Sequence, residues 1–264
     1  MKLANRLFFL SLALSCSAQA ATIFQASSTN TTNFSNNFSG GTTASNIAVT
    51  DSGSGVILTN DGPNFFAGGF TSTDTISTLL GAPLSDTDKV TLTFTVSSVS
   101  SVSSVSGSGE LRSRGIELGL VSASALDGGA TGNLILGFSG AANGSKYELM
   151  NSIDTYSINN FVSQSTASDG FSVTISADVN GYTISATDAL LNNGAAPPDI
   201  SNTFEPGEFT AVFGSGLLYF SAQQRNGGVD VAISEASIEV TSIPEPSVAA
   251  LLGLGLLAVS RRRR

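Results

Sequence analysis

The chain has 264 residues, with 20 acidic against 11 basic side chains, one cysteine (Cys16), no tryptophan and no histidine, which removes Ser-His-Asp hydrolysis, Cys-His chemistry and histidine-based zinc or iron sites. The basic residues gather at the two ends: within residues 21 to 243 only Lys89, Arg112, Arg114, Lys146 and Arg225 stand against 19 of the acids, a balance of about −14. Such a body opposes nucleic acid, whose phosphates need a basic footprint, and anionic membrane surfaces, and it leaves neutral ligands and divalent cations.

The first residues place Lys2 and Arg6 before the apolar run Leu7 to Leu14, and Ala18-Gln19-Ala20 precedes Ala21. A basic start, an apolar segment too short to span a bilayer and small residues at the cut are the order of a secretory signal peptide, residues 1–20, removed by signal peptidase after Ala20. Cys16 lies upstream of that cut. A lipid-acceptor role for it would need a leucine three residues earlier, where Ala13 stands. Cleavage leaves a body without disulfide or thiol chemistry.

Residues 26 to 46 are rich in Ser, Thr, Asn and Gly around Phe34 and Phe38, and read as loop or weak edge structure. From Lys89 onward Val90, Leu92, Phe94 and Val96 alternate with threonines, the period of a half-buried strand. A Val-Ser-Ser repeat then runs to Val105 and reads as an extension of that strand or a loop. Further strands are expected at Ile116 to Leu120, Leu134 to Leu136, Phe171 to Ala177 and Tyr182 to Ala186, and then at Phe209 to Phe213, Leu217 to Gln223 and Val229 to Val240. Asn180-Gly181 supplies the turn of a hairpin. A short helical turn near Asp188 to Asn192 is the one helical feature expected in the body. Strands separated by turn clusters predict an all-β fold, an antiparallel β-sandwich over residues 21–241.

At the other end Pro244-Glu245-Pro246 is followed by an uncharged apolar stretch from Val248 to Val259 and by Arg261, Arg262, Arg263 and Arg264. A helix of that stretch would be about 18 Å long, well short of the roughly 30 Å hydrocarbon core, with arginines able to snorkel to the cytoplasmic headgroups. Residues 242–264 resemble the PEP-CTERM sorting signal of Gram-negative bacteria. In that family an exosortase recognises the Pro-Glu-Pro tripeptide and removes the tail, in bacteria that build extracellular polysaccharide. The resemblance implies a transient inner-membrane anchor, exosortase and signal peptidase as processing partners, and delivery to the cell surface or matrix. The order of the C-terminal strands also resembles the concanavalin-like jelly rolls of lectins and laminin-G-type modules.

Three clusters are candidates for chemistry. Glu110, Arg112 and Arg114 would share one strand face, with Glu110 pairing Arg112 and Arg114 left for an anionic ligand; a solvated, salt-bridged edge strand is the plainer reading. Asp86, Asp88 and Asp127, together with Asp51 and Asp61, offer hard oxygen ligands for a structural calcium, although loop aspartates also serve Asx turns. Glu235 and Glu239 lie about 13 Å apart along one strand, too far for the roughly 5 Å of a retaining glycosidase. No catalytic pair is expected. The expectation is a non-enzymatic exported protein that binds glycan, set against a secreted polysaccharide hydrolase using only Asp and Glu, or a glycosylated structural adhesin.

Overall fold

The computed structural model describes residues 19–36, 47–60, 66–102, 110–122, 134–138, 147–150, 155–158, 170–189, 195–225 and 228–242. Fifteen strands occur among them: β1 (Gln19–Gln25), β2 (Thr31–Asn36), β3 (Ile47–Asp51), β4 (Val56–Asn60), β5 (Phe66–Ser72), β6 (Asp88–Val102), β7 (Glu110–Val121), β8 (Leu134–Phe138), β9 (Tyr147–Met150), β10 (Thr155–Ile158), β11 (Phe171–Asp178), β12 (Gly181–Thr187), β13 (Ile200–Thr203), β14 (Leu217–Arg225) and β15 (Gly228–Ser242). Two short helices accompany them, α1 (Ile76–Leu80) and α2 (Glu208–Gly214).

The strands form two antiparallel sheets. The first runs β13-β12-β11-β6-β15-β4-β3, with β1 also on β15; the second runs β10-β9-β8-β7-β14-β5-β2. Strand β15 is the seam of the first sheet: one edge pairs with β6 along its length, while the other pairs with β4 at residues 229–233 and with β1 at residues 237–242.

Alternation decides which face is buried. Val90, Leu92, Phe94 and Val96 on β6, Val173 and Ile175 on β11, and Tyr182 and Ile184 on β12 all point inward. They meet Ile116, Leu118 and Leu120 of β7, Leu134 and Leu136 of β8, and Phe220 of β14 in one core. Phe70 and Phe220 stack within it at 5.7 Å between ring centroids. This is the expected β-sandwich, with Thr91, Thr93 and Thr95 left on the outside of β6.

Three local expectations change. Phe209 to Phe213 forms α2, not a strand: Phe209, Val212 and Phe213 lie at i, i+3 and i+4 and are buried together, while Ala211 is exposed. The helix begins where Gly207 takes φ 82, and the Glu208 carboxylate accepts the Glu205 N–H at 2.9 Å, reaching back across the first turn. Helix α1 was also unforeseen, and it is bounded by Thr75, whose hydroxyl accepts the Thr78 N–H at 3.3 Å, and by Gly81 at φ 76. The β11–β12 hairpin turns one residue earlier than expected, at Val179–Asn180, because Asp178 already pairs with Gly181. Asp188 has φ 61, and the rest of the helical turn expected near it, residues 190–192, lies outside the described residues. The Val-Ser-Ser repeat continues β6 as far as Val102, after the register against β15 slips twice between Thr95 and Ser98.

Candidate functional site

Burial of alternate side chains on the first sheet turns the intervening ones into an outer face of hydroxyls. Cross-strand register aligns them in rows: Ser201 of β13, Thr183 of β12, Ser176 of β11 and Thr91 of β6 lie opposite one another in sequence, and a second row runs Ser185, Thr174 and Thr93. At one end of this face the β11–β12 hairpin and β13 enclose a groove of about 510 Å³, lined by Lys89, Ser176, Asp178, Asn180, Thr183, Ser201, Asn202 and Thr203 among others. Lys89 precedes Val90 and Asp178 follows Ala177, and the Val90–Ala177 pairing sets the two charged residues side by side. The Asp178 carboxylate also accepts the Asn180 N–H at 2.7 Å, which holds the hairpin tip. Underneath, Tyr182 lies 5.6 Å from Phe204, whose ring contacts Phe209 and Phe213 at 6.1 Å. The aromatic cluster thus supports the groove from below, leaving hydroxyl, amide and two opposite charges in its lining.

The outer face of the second sheet is covered. Val121, Ile135, Leu217 and Tyr219 form a small separate cluster there, with Phe34 stacked on Tyr219 at 5.4 Å. Beside them the Tyr219 hydroxyl donates to a buried Glu117 carboxylate at 2.9 Å, next to the fully buried Ser221. The glycines of this face are required by close packing, since a Cβ at Gly69 would meet the Phe220 carbonyl. Sequence reasoning passed over this acid, phenol and hydroxyl. The available signal was the unbroken apolar runs Leu134-Ile135-Leu136 and Leu217 to Phe220, which mark strands buried on both faces.

Of the acids expected to hold a cation, Asp51, Asp86 and Asp88 are among the described residues, and they do not form a group of three. Asp88 is buried at the start of β6, where one carboxylate oxygen accepts the Ser242 hydroxyl at 2.7 Å and the other accepts the Ser85 N–H at 2.8 Å and the Ser85 hydroxyl at 2.9 Å. Asp86 is exposed in the preceding turn, Asp51 accepts the Gly53 N–H, and Asp127 and Asp61 lie outside the described residues. Among the described residues no group of three or more acids could hold a metal ion. Glu110, Arg112 and Arg114 lie on β7 where its register with β14 slips: Leu111 faces Gln224 but Ile116 faces Ala222, so the intervening residues bulge from the ladder. Glu235 and Glu239 face Thr95 and Thr91, four residues apart on β6, which preserves the wide spacing read from sequence, and Glu235 accepts the Ser237 hydroxyl at 2.9 Å.

The first described strand meets the end of the last. Gln19 pairs with Ser242 and Ala20 with Thr241, so β1 and the end of β15 are zipped at one end of the first sheet. The Ala20–Ala21 bond lies within β1. Ala18, Pro244, Glu245, Pro246, the apolar stretch and Arg261 to Arg264 lie outside the described residues. A family model described as the PEP-CTERM protein-sorting motif matches residues 242–264. The tail is a PEP-CTERM sorting signal. It follows β15 directly, the motif beginning at the last residue of that strand, so the Pro-Glu-Pro tripeptide begins two residues after Ser242, whose hydroxyl donates to Asp88.

No curated protein matches the chain in sequence. Solved structures resemble it in fold: a lectin, UEA-II, complexed with galactose (12% identity, TM-score 0.47, covering 85% of this chain and 98% of that one); arcelin-5, a lectin-like defence protein from Phaseolus vulgaris (14%, 0.46, 80% and 98%); and the CBM2 module of the evolved Dit of Lactobacillus casei BL23 phage J-1 (12%, 0.46, 86% and 98%).

Proposed function

We propose that this is an exported protein of the cell surface or extracellular matrix of a Gram-negative bacterium, cut by signal peptidase after Ala20 and by an exosortase at the Pro-Glu-Pro segment, and that its β-sandwich holds extracellular polysaccharide without altering it. The single observation that carries the reading is the PEP-CTERM match over residues 242–264. It is supported by the groove of hydroxyls and amides on an otherwise strongly acidic body, a lining suited to sugar hydroxyls and unsuited to phosphate chains. The absence of histidine from the sequence, together with the wide separation of Glu235 and Glu239, favours binding over hydrolysis. Until the tail is removed, Arg261 to Arg264 and the apolar stretch would hold the protein at the inner membrane. Asp88, the buried member of the expected calcium set, is already engaged within the fold, since both its oxygens accept hydrogen bonds.

Exported protein mixed with polysaccharide from its own host is expected to sediment with it, to stay bound in EDTA, and to leave the polysaccharide's chain length unchanged over hours. Shortened chains would establish hydrolysis instead. Protein remaining wholly in the supernatant would remove the glycan-binding part of the reading.

A further inference from the structure

We propose that the groove at the β11–β12 hairpin is the polysaccharide site, and that it takes a neutral, extended chain laid across β13, β12, β11 and β6 with roughly one sugar residue per strand. This rests on the glycan-binding reading and adds the site, the direction of the chain and its charge.

The direction follows from the register. Ser201, Thr183, Ser176 and Thr91 are successive cross-strand partners, so their hydroxyls repeat at the strand spacing of about 4.8 Å. That step is close to the advance of one pyranose residue along an extended β-linked chain. A glycan running along the strands would instead meet outward side chains only every second residue, about 7 Å apart. The row is open at its outer end, where Thr183 and Ser201 are exposed, and Ser176 and Thr91 are half-buried. One row pair beyond the groove, by contrast, closes on itself through the Ser172 hydroxyl bonded to that of Thr95 at 3.1 Å.

The charge follows from the lining and the body. Lys89 and Asp178 give the lining one charge of each sign, while the body around them carries about 14 more negative than positive charges. A polyanionic chain would be repelled by that field; a neutral one is indifferent to it. No aromatic face is offered to a sugar ring, because Tyr182 is only 3% exposed and packs on Phe204. Affinity must then come from several hydrogen bonds, each of small net worth. A chain binds where a single sugar does not.

The test uses the exported protein in titration calorimetry with glucose, the neutral β-linked hexaoses cellohexaose and laminarihexaose, and acidic hexamannuronate. At least one neutral hexaose should bind, and glucose should not. Thr183→Val combined with Ser201→Ala keeps strand-compatible side chains and should weaken hexaose binding about tenfold, the worth of two lost hydrogen bonds. Thr50→Val, an exposed position on β3 at the opposite edge of the sheet, should leave binding unchanged, and all variants should unfold at the wild-type temperature. Full affinity in the double variant would place the chain elsewhere and overturn the groove assignment while leaving glycan binding intact. Preference for hexamannuronate with salt-sensitive affinity would overturn the neutral-chain assignment. Binding to none of the probes by a protein that still sediments with host polysaccharide would overturn the proposed ligand class; loss of both would take the glycan reading with it.

Discussion

Replacing Phe94 with alanine is expected to destabilise the protein by about 3–5 kcal/mol, the usual cost of emptying a buried phenylalanine site. Phe94 is fully buried at the middle of β6, between Val173 of β11 and Ala236 of β15, and so stands where three central strands of the first sheet meet. Neighbours fixed by ladder hydrogen bonds on both sides have little freedom to collapse into the cavity. For a domain of this size the loss corresponds to a fall of roughly 10 °C in unfolding temperature, readable by circular dichroism. A fall of about 1 °C, the range of a surface substitution, would show that Phe94 is not packed as described.

Gly181→Ala should cost about 2 kcal/mol or more and abolish oligosaccharide binding at the groove. Gly181 has φ 153, a conformation open to glycine and strained for other residues, and such strain alone is worth about 1–3 kcal/mol. The added methyl group would also run into the Asn202 carbonyl, forcing β13 away from β12. Ser201 and Thr203 would move with it, and the wall of the groove would be lost. Thermal unfolding and hexaose titration read the two effects separately. A variant that unfolds normally and still binds would mean that β13 does not form that wall.

These two positions show what a sequence of this kind displays and what it conceals. Phe94 belongs to a run whose alternation with threonine gives both its strand and its inward face. Gly181 was noticed for its ease in a turn, whereas the fold uses it one residue later for close approach between strands. The pairing of Asp178 with Gly181 is set by the long β6–β11–β12 ladder, which a local turn signal does not contain. Phe209 to Phe213 misled in a different way: the segment is short, its apolar spacing fits either period, and tertiary packing against Phe204 selects the helix. The groove was legible in parts, as outward Thr and Ser on each strand, but not as a site. Its assembly needs Lys89 beside Asp178 and Ser201 beside Thr183, contacts between residues up to about ninety positions apart that only the sheet order provides. The buried Glu117 and Tyr219 pair was hidden for the same reason, since the two residues are 102 positions apart.

The chain ends raise a physical question about processing. With Gln19 opposite Ser242, the bond that signal peptidase is expected to cut lies within β1, beside the end of β15. Signal-peptidase cleavage after Ala20 would leave Ala21 to Gln25 to hold β1 on β15, including Phe24, which is buried against the core. The end of β15 is fastened independently through Ser242 and Asp88, so the folded body would present the Pro-Glu-Pro segment from a fixed point.

Removal of the tail by an exosortase is read by intact mass and terminal sequencing of the protein recovered from its native host, with and without a functional exosortase. The chain should begin at Ala21 in both strains, end near Pro244 when the exosortase is present, and retain Arg261 to Arg264 when it is absent. A chain that keeps the four arginines in both strains would contradict such removal and make the tail an ordinary membrane anchor.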